Sequence, residues 1–79
     1  MWAHLYVILP SGNGGRIVHR MNSYKFKSIA EIKLRILASQ RSQVNSFHLS
    51  KEQYNGNLLV ENLNLFQCQV ENRTKLYCV

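Results

Sequence analysis

The chain has 79 residues, of which 46% are hydrophobic and 18% are charged. We expect one domain over residues 1–79 with one small core, because this composition is that of a globular protein and excludes a disordered tail or a coiled coil. Ten Lys and Arg residues against four Asp and Glu residues give a formal charge of +6 at pH 7, which favours acidic partners. The basic residues are scattered along the chain, so an ordinary solvated surface is the plain alternative.

The N-terminal segment predicts a β-hairpin. Residues 4–9 and 16–21 are rich in β-forming side chains, and the Gly-rich segment between them tolerates positive φ. Period-2 alternation places one set of side chains on the inner face of each strand: Leu5, Val7 and Leu9 on the first, and Ile17, His19 and Met21 on the second. Val18 is the alternative inward residue if the register shifts by one. We interpret residues 22–27 as a polar connection.

Residues 28–40 predict the one long helix of the chain. Ser28 and Glu31 have the spacing of a capping box, in which each side chain accepts a backbone N–H at the helix start. One stripe of the helix is apolar and comprises Ile29, Ile32 and Ile36, with Leu37 beside it. A helix of about a dozen residues is marginal alone in water, so we expect its apolar stripe to pack on a sheet.

The second half of the chain predicts shorter elements. Residues 47–49 carry apolar side chains on alternate positions and predict a short third strand, and Asn55-Gly56 predicts a turn. A short helical turn is expected around residues 61–62. Strand alternation in residues 66–70 and 75–79 predicts a terminal strand and leaves open an extra hairpin that includes Cys68.

This order of elements resembles the ubiquitin-like β-grasp fold, an α+β arrangement in which a mixed sheet packs on one main helix. The resemblance covers most of the chain and rests on residues 4–9, 28–36, 47–49 with Tyr54, and 60–65. In that family a lysine lies along the apolar flank of the helix, a position that Lys33 matches. Conjugated members end in Gly-Gly, whereas this sequence ends in Leu-Tyr-Cys-Val, so the resemblance implies a non-conjugated type.

The resemblance also implies a binding patch on the outer face of the sheet. Carried over onto this sequence, the patch consists of Pro10, His48, Tyr77 and Val79. Strand alternation independently predicts that His48 and Tyr77 point outward, and both combine an apolar body with a polar tip. The plain alternative is that these are scattered surface residues of the kind found on any monomer.

A second candidate surface is basic and consists of Arg16, Arg20, Lys25, Lys27 and Arg35. Related β-grasp modules of the Ras-binding and doublecortin types use such residues to meet a small GTPase or a microtubule. Nucleic acid is the less favoured acidic partner, because the sequence places no evident aromatic stacking platform beside these residues and has no helix-turn-helix or zinc-finger spacing.

Catalytic and metal chemistry find little support in the sequence. The Gly-rich segment 12–15 precedes a strand rather than a helix, which favours a hairpin turn over a phosphate-binding loop, and the three histidines lack metal-ligand spacing. Cys68 and Cys78 lack a CxxC partner and a nearby acid or base; they suit a reducing compartment, the cytoplasm or the nucleus, and whether they meet is open. We therefore predict a non-catalytic protein-interaction module, with a partner from the ubiquitin pathway as one implication, and without metal, cofactor or membrane.

Overall fold

The computed structural model describes residues 1–10, 14–39, 47–52 and 57–79. Within these ranges the chain forms four strands and one helix in the following order: β1 (Trp2–Pro10), β2 (Arg16–Tyr24), α1 (Ile29–Ser39), β3 (Leu49–Ser50) and β4 (Thr74–Cys78). The strands form one sheet in the order β2-β1-β4-β3. β1 is antiparallel to β2 and parallel to β4, and β3 is antiparallel to β4, so the sheet is mixed as predicted.

The hairpin of β1 and β2 is longer than predicted and pairs from Trp2 opposite Tyr24 to Pro10 opposite Arg16. The predicted register is confirmed, and the matching pairs are Leu5 with Met21, Val7 with His19, and Leu9 with Ile17. Of the three predicted inward residues of β2, however, only Met21 is buried, and Ile17 is exposed. Within the described residues, α1 reaches His19, since the Ser39 hydroxyl lies 3.4 Å from Nε2 of that residue, and Ile17 lies two positions further along β2. Val18, the alternative inward residue, is exposed as well.

The start of α1 is held by a side-chain cap and by a neighbouring loop. The backbone N–H of Glu31 donates to Ser28 Oγ at 3.2 Å, which confirms the predicted cap, while the Glu31 carboxylate pairs with Lys27 at 3.3 Å instead of reaching back to Ser28. The N–H groups of Ile29 and Ala30 donate to the carbonyls of Leu63 and Glu61 at 2.8 and 3.1 Å. The free donors of the first helical turn are thus satisfied mainly by a distant part of the chain.

The core lies between the inner face of the sheet and the predicted apolar stripe of α1. Its buried apolar side chains come from the strands, the helix, the residues just before β3 and the loop before β4, and they are Ala3, Leu5, Val7, Leu9, Met21, Ile29, Ile32, Ile36, Phe47, Leu49, Leu65, Val70 and Leu76. Phe47 and Leu49 are buried and His48 between them is exposed, so the predicted alternation around the third strand is confirmed, although β3 itself covers Leu49–Ser50.

The extra hairpin that the sequence leaves open at residues 66–70 does not form. This segment forms turns, in which the N–H of Val70 donates to the Leu65 carbonyl at 2.9 Å and Gln69 adopts a φ of 58°. The side chains of Asn64 and Gln67 each accept a backbone N–H of the other residue, at 2.7 and 2.9 Å. Such local side-chain bonds offer the backbone an alternative to a strand ladder.

Two further predicted turns have different outcomes. Residues 61–62 form a single turn closed by the Leu63 N–H, which donates to the Val60 carbonyl at 3.1 Å. The Asn55-Gly56 turn lies outside the described residues.

Candidate binding surfaces

The outer face of the sheet, opposite α1, carries the even-numbered side chains of β1. Burial alternates along this strand, so that Leu5 and Val7 are buried whereas Tyr6 and Ile8 are partly exposed. Ile8 lies opposite Tyr77 of β4, and Tyr77 in turn lies opposite Ser50 of β3. The period-2 geometry of the strands therefore brings side chains from three distant segments onto one face.

Three residues of the predicted patch meet at one end of this face. Pro10, Tyr77 and Val79 line a shallow cavity of about 260 Å³, which also includes Ile8. His48 joins them through the backbone, because His48 and Val79 exchange two N–H to carbonyl hydrogen bonds of 2.9 Å each. Pro10, His48 and Val79 are exposed and Tyr77 is half-buried. We refer to these four residues as the outer-face patch.

Two of the predicted basic residues, Arg16 and Arg20, lie on the outer face opposite Pro10 and Tyr6 of β1, and the other three lie elsewhere. Arg16 lines the cavity of the outer-face patch, and the Arg20 guanidinium lies 5.9 Å from the centroid of the Tyr6 ring. Arg35 reaches from α1 to β2 and donates to the Asn22 carbonyl at 3.0 Å.

The two remaining lysines lie at the opposite end of the hairpin from the patch. Lys25 pairs with Glu71 and Lys27 pairs with Glu31, each at 3.3 Å. These carboxylates offset the positive charge of both lysines at this end of the molecule.

A cluster of exposed aromatic rings also lies at that end and is absent from the predicted sites. Four rings form a continuous row in which each contacts the next, and they are Trp2, Tyr24, Phe26 and Phe66. We refer to this row as the aromatic ladder. Residues 22–27 were predicted to be a polar connection, and the two aromatic residues Tyr24 and Phe26 within this segment are the part of the aromatic ladder that the sequence displays. Trp2 and Phe66 join the row only through tertiary contacts.

The described residues offer little to nucleophilic or metal chemistry. Cys68 and Cys78 are free thiols, and burial raises the pKa of Cys68 and raises that of Cys78 to about 12. Neither thiol is therefore ionised at neutral pH. Within the described ranges, no group of three His, Cys, Asp or Glu residues is placed to hold a metal ion. No helix in this part of the chain is long and apolar enough to cross a membrane.

Comparison with known proteins identifies the fold. Neither a protein-family model nor a curated protein sequence matches the chain. The structure is similar to that of a ubiquitin from Caldiarchaeum subterraneum, with a TM-score of 0.75 and 13% identity over 99% of this chain and 91% of that one. A protein designed de novo on the basis of ubiquitin has a TM-score of 0.73 and 12% identity over 99% of this chain and 87% of its own. The chain thus has the ubiquitin-like β-grasp fold that its order of elements predicts.

Proposed function

We propose that this chain is a non-catalytic protein-interaction module that binds a partner protein through the outer-face patch. The observation that carries the proposal is the convergence of four residues from three segments that are far apart in the sequence. Pro10, Tyr77 and Val79 share one cavity, and the paired backbone hydrogen bonds hold His48 beside Val79. A receptor of the ubiquitin pathway is the class of partner that the fold suggests.

The chemistry of the patch suits a transient interface. Tyr77 and His48 combine an apolar body with a polar tip, and Val79 adds an exposed apolar side chain. Such residues contribute contact area while tolerating water when the partner is absent. Because the patch is small, we expect weak and readily reversible binding.

The test compares capture of partners from cell extract by the wild type and by a His48→Ala/Tyr77→Ala variant, each washed across a series of salt concentrations. Leu34→Ala is the matched control, because Leu34 is an exposed apolar residue on α1, 65% accessible and away from the sheet face. Partners that bind the wild type and the control in moderate salt and are lost from the double variant support the proposal.

If the double variant keeps the same partners, the outer-face patch is not the binding site. Stripping of these partners by salt from all three proteins would then favour the alternative, a basic adaptor for an acidic surface such as a small GTPase, a microtubule or nucleic acid.

A further inference from the structure

We propose that the aromatic ladder is a second binding site, which takes single-stranded nucleic acid by stacking bases on its rings. The site lies at the Trp2 end of β1, whereas the outer-face patch lies at the Pro10 end of the same strand. The aromatic ladder therefore binds a second class of ligand, and this proposal does not depend on the proposed function of the outer-face patch.

The rings form a row whose surfaces are open to solvent. Successive ring centroids lie 5.6, 5.4 and 5.7 Å apart from Trp2 through Tyr24 and Phe26 to Phe66. Their exposed fractions are 68%, 38%, 49% and 53% in the same order. Single exposed apolar residues are common on proteins, but contiguous apolar patches mark sites of interaction.

Backbone hydrogen bonds hold the ladder in place. The Lys25 N–H donates to the Met1 carbonyl at 2.8 Å, next to Trp2. The Phe66 N–H donates to the Lys25 carbonyl at 3.0 Å, so the loop that carries Phe66 is tied to the segment that carries Tyr24 and Phe26. A platform that is already ordered loses little conformational entropy when a ligand binds.

The segment that carries Tyr24 and Phe26 also carries an exposed lysine beside the rings. Of the two lysines in residues 24–27, Lys25 pairs with Glu71 and its side chain is only 12% exposed, so Lys27 is the lysine of this segment that can reach a phosphate. Lys27 forms an exposed ion pair with Glu31. Because an exposed pair of this kind contributes little to the stability of the fold, a phosphate can replace the carboxylate. The net charge of +6 attracts a polyanion to the whole molecule. The ladder is the aromatic platform beside basic residues that the sequence does not reveal.

An acidic peptide is the competing occupant of the ladder, and substitutions of an aromatic ring distinguish it from nucleic acid. Stacking needs a flat π-face, so a base should bind well to an aromatic residue at position 26 and poorly to an aliphatic one. An apolar peptide side chain needs only apolar area, so Phe26→Leu would largely preserve its binding. Phe26→Tyr and Phe26→Leu therefore form a matched pair of variants.

The experiment uses Trp2 as its own reporter, because Trp2 is the one tryptophan of the chain. The protein is titrated with a single-stranded oligonucleotide of about 12 nucleotides, a length that spans a typical single-strand site. The same sequence as a duplex and inorganic polyphosphate are titrated in parallel. We expect the single strand to quench Trp2 fluorescence, with an affinity that falls as salt rises, and to bind more tightly than the duplex or polyphosphate.

The variants then test the ring contacts. Phe26→Leu and Phe66→Ala should each weaken single-strand binding by about 5- to 150-fold, the range measured when stacking residues are truncated, while Phe26→Tyr and Leu34→Ala should not. Glu31→Gln should tighten binding by releasing Lys27. His48→Ala/Tyr77→Ala should bind the oligonucleotide normally, so the two proposed sites can fail independently. Thermal melting of each variant identifies any loss of folding.

Three results would overturn the proposal. The first is the absence of single-strand binding at low salt. The second is equal binding of single strand, duplex and polyphosphate together with an unaffected Phe26→Leu variant, which would indicate charge attraction alone. The third is a protein partner, captured from cell extract, that is lost from Phe66→Ala but retained by Phe26→Leu, which would assign the ladder to an acidic peptide with an apolar side chain.

Discussion

The ammonium of Lys33 and the carboxylate of Glu61 form an ion pair that joins the middle of α1 to the turn before β4. The Lys33 side chain is only 15% exposed and its Nζ lies 5.8 Å from the centroid of the Phe47 ring. This placement along the apolar flank of the helix is the one that the family resemblance implies for Lys33. The pair therefore connects the helix to the loop whose carbonyls also accept the first N–H groups of α1.

We expect the contribution of Glu61 to stability to depend on pH. The hydrogen bond and charge of Lys33 lower the pKa of Glu61 below its ordinary value of 4.5. A carboxyl whose pKa is lower in the folded state stabilises the fold above its unfolded pKa and loses that effect as pH falls through its folded pKa. Glu61→Gln should thus unfold at a lower urea concentration than the wild type at pH 7, and this difference should shrink as pH falls below 4.5.

The measurement is urea unfolding followed by circular dichroism across this pH range. Glu52→Gln is the control, because it removes the same charge from another exposed position. A difference between Glu61→Gln and the wild type that stays constant down to the lowest pH would contradict the assigned role of the ion pair.

Truncation of a side chain in the apolar stripe of α1 should lower the free energy of unfolding far more than truncation of a side chain on its exposed face. Ile32 is fully buried between α1 and the sheet, whereas Leu34 is 65% exposed on the same helix. We expect Ile32→Val to lower the free energy of unfolding by about 0.5–1.5 kcal/mol and Ile32→Ala by about 2–5 kcal/mol. Leu34→Ala should change it by less than about 0.5 kcal/mol. Chemical denaturation measures all three variants, and similar losses at both positions would argue against the orientation of α1.

Removal of the helix cap should lower the free energy of unfolding, and a substitute hydrogen-bond acceptor at position 28 should restore it. Ser28 Oγ accepts the N–H of Glu31, so Ser28→Ala should lower the free energy of unfolding by about 1 kcal/mol. Ser28→Asp retains an acceptor and adds a negative charge near the positive end of the helix dipole, so its stability should match or exceed that of the wild type. Thermal denaturation distinguishes the two variants. Equal losses in both would indicate that Ser28 acts through another contact.

The two thiols should resist alkylation in the folded protein. Burial raises the pKa of Cys78 to about 12 and also raises that of Cys68 above 9.0. We expect iodoacetamide at pH 8 to modify both residues far more slowly in the native protein than in urea, with Cys78 the slower of the two. Peptide mass spectrometry gives each rate separately. Native rates that equal those in urea would contradict the burial of these side chains.

The raised pKa of Cys78 also predicts that the protein loses stability at alkaline pH. The folded pKa of Cys78 lies above its unfolded value of 9.0, so its contribution to stability is complete below pH 9.0 and is lost as pH rises toward about 12. Cys78→Ala should reduce the loss of stability between these pH values, which urea unfolding at increasing pH would reveal.

Most of the fold could be predicted from local patterns in the sequence. Period-2 alternation located the hairpin and the pairing of Leu5 with Met21, and the 3.6-residue period located α1 and the burial of Ile32. Ser28 at the helix start could be recognised because a cap acts over only a few residues. These features depend on neighbours along the chain, which a sequence displays directly.

The sequence also suggested the members of the outer-face patch, but their convergence is a tertiary property. Alternation alone predicts that His48 and Tyr77 face outward. The pairing of His48 with Val79, and the cavity that Tyr77 shares with Pro10, depend on how β4 inserts between β1 and β3. The functional role of the patch stays a prediction.

Contacts between distant segments decided the remaining features. The exposure of Ile17 depends on which part of β2 the described residues of α1 cover, and residues 66–70 form turns because side chains of that loop satisfy its own backbone. The aromatic ladder depends on Phe66 docking beside Phe26, although the two residues lie far apart in the sequence. Periodicity determines which face of an element is apolar, whereas the mutual placement of elements determines which apolar side chains finally remain in water.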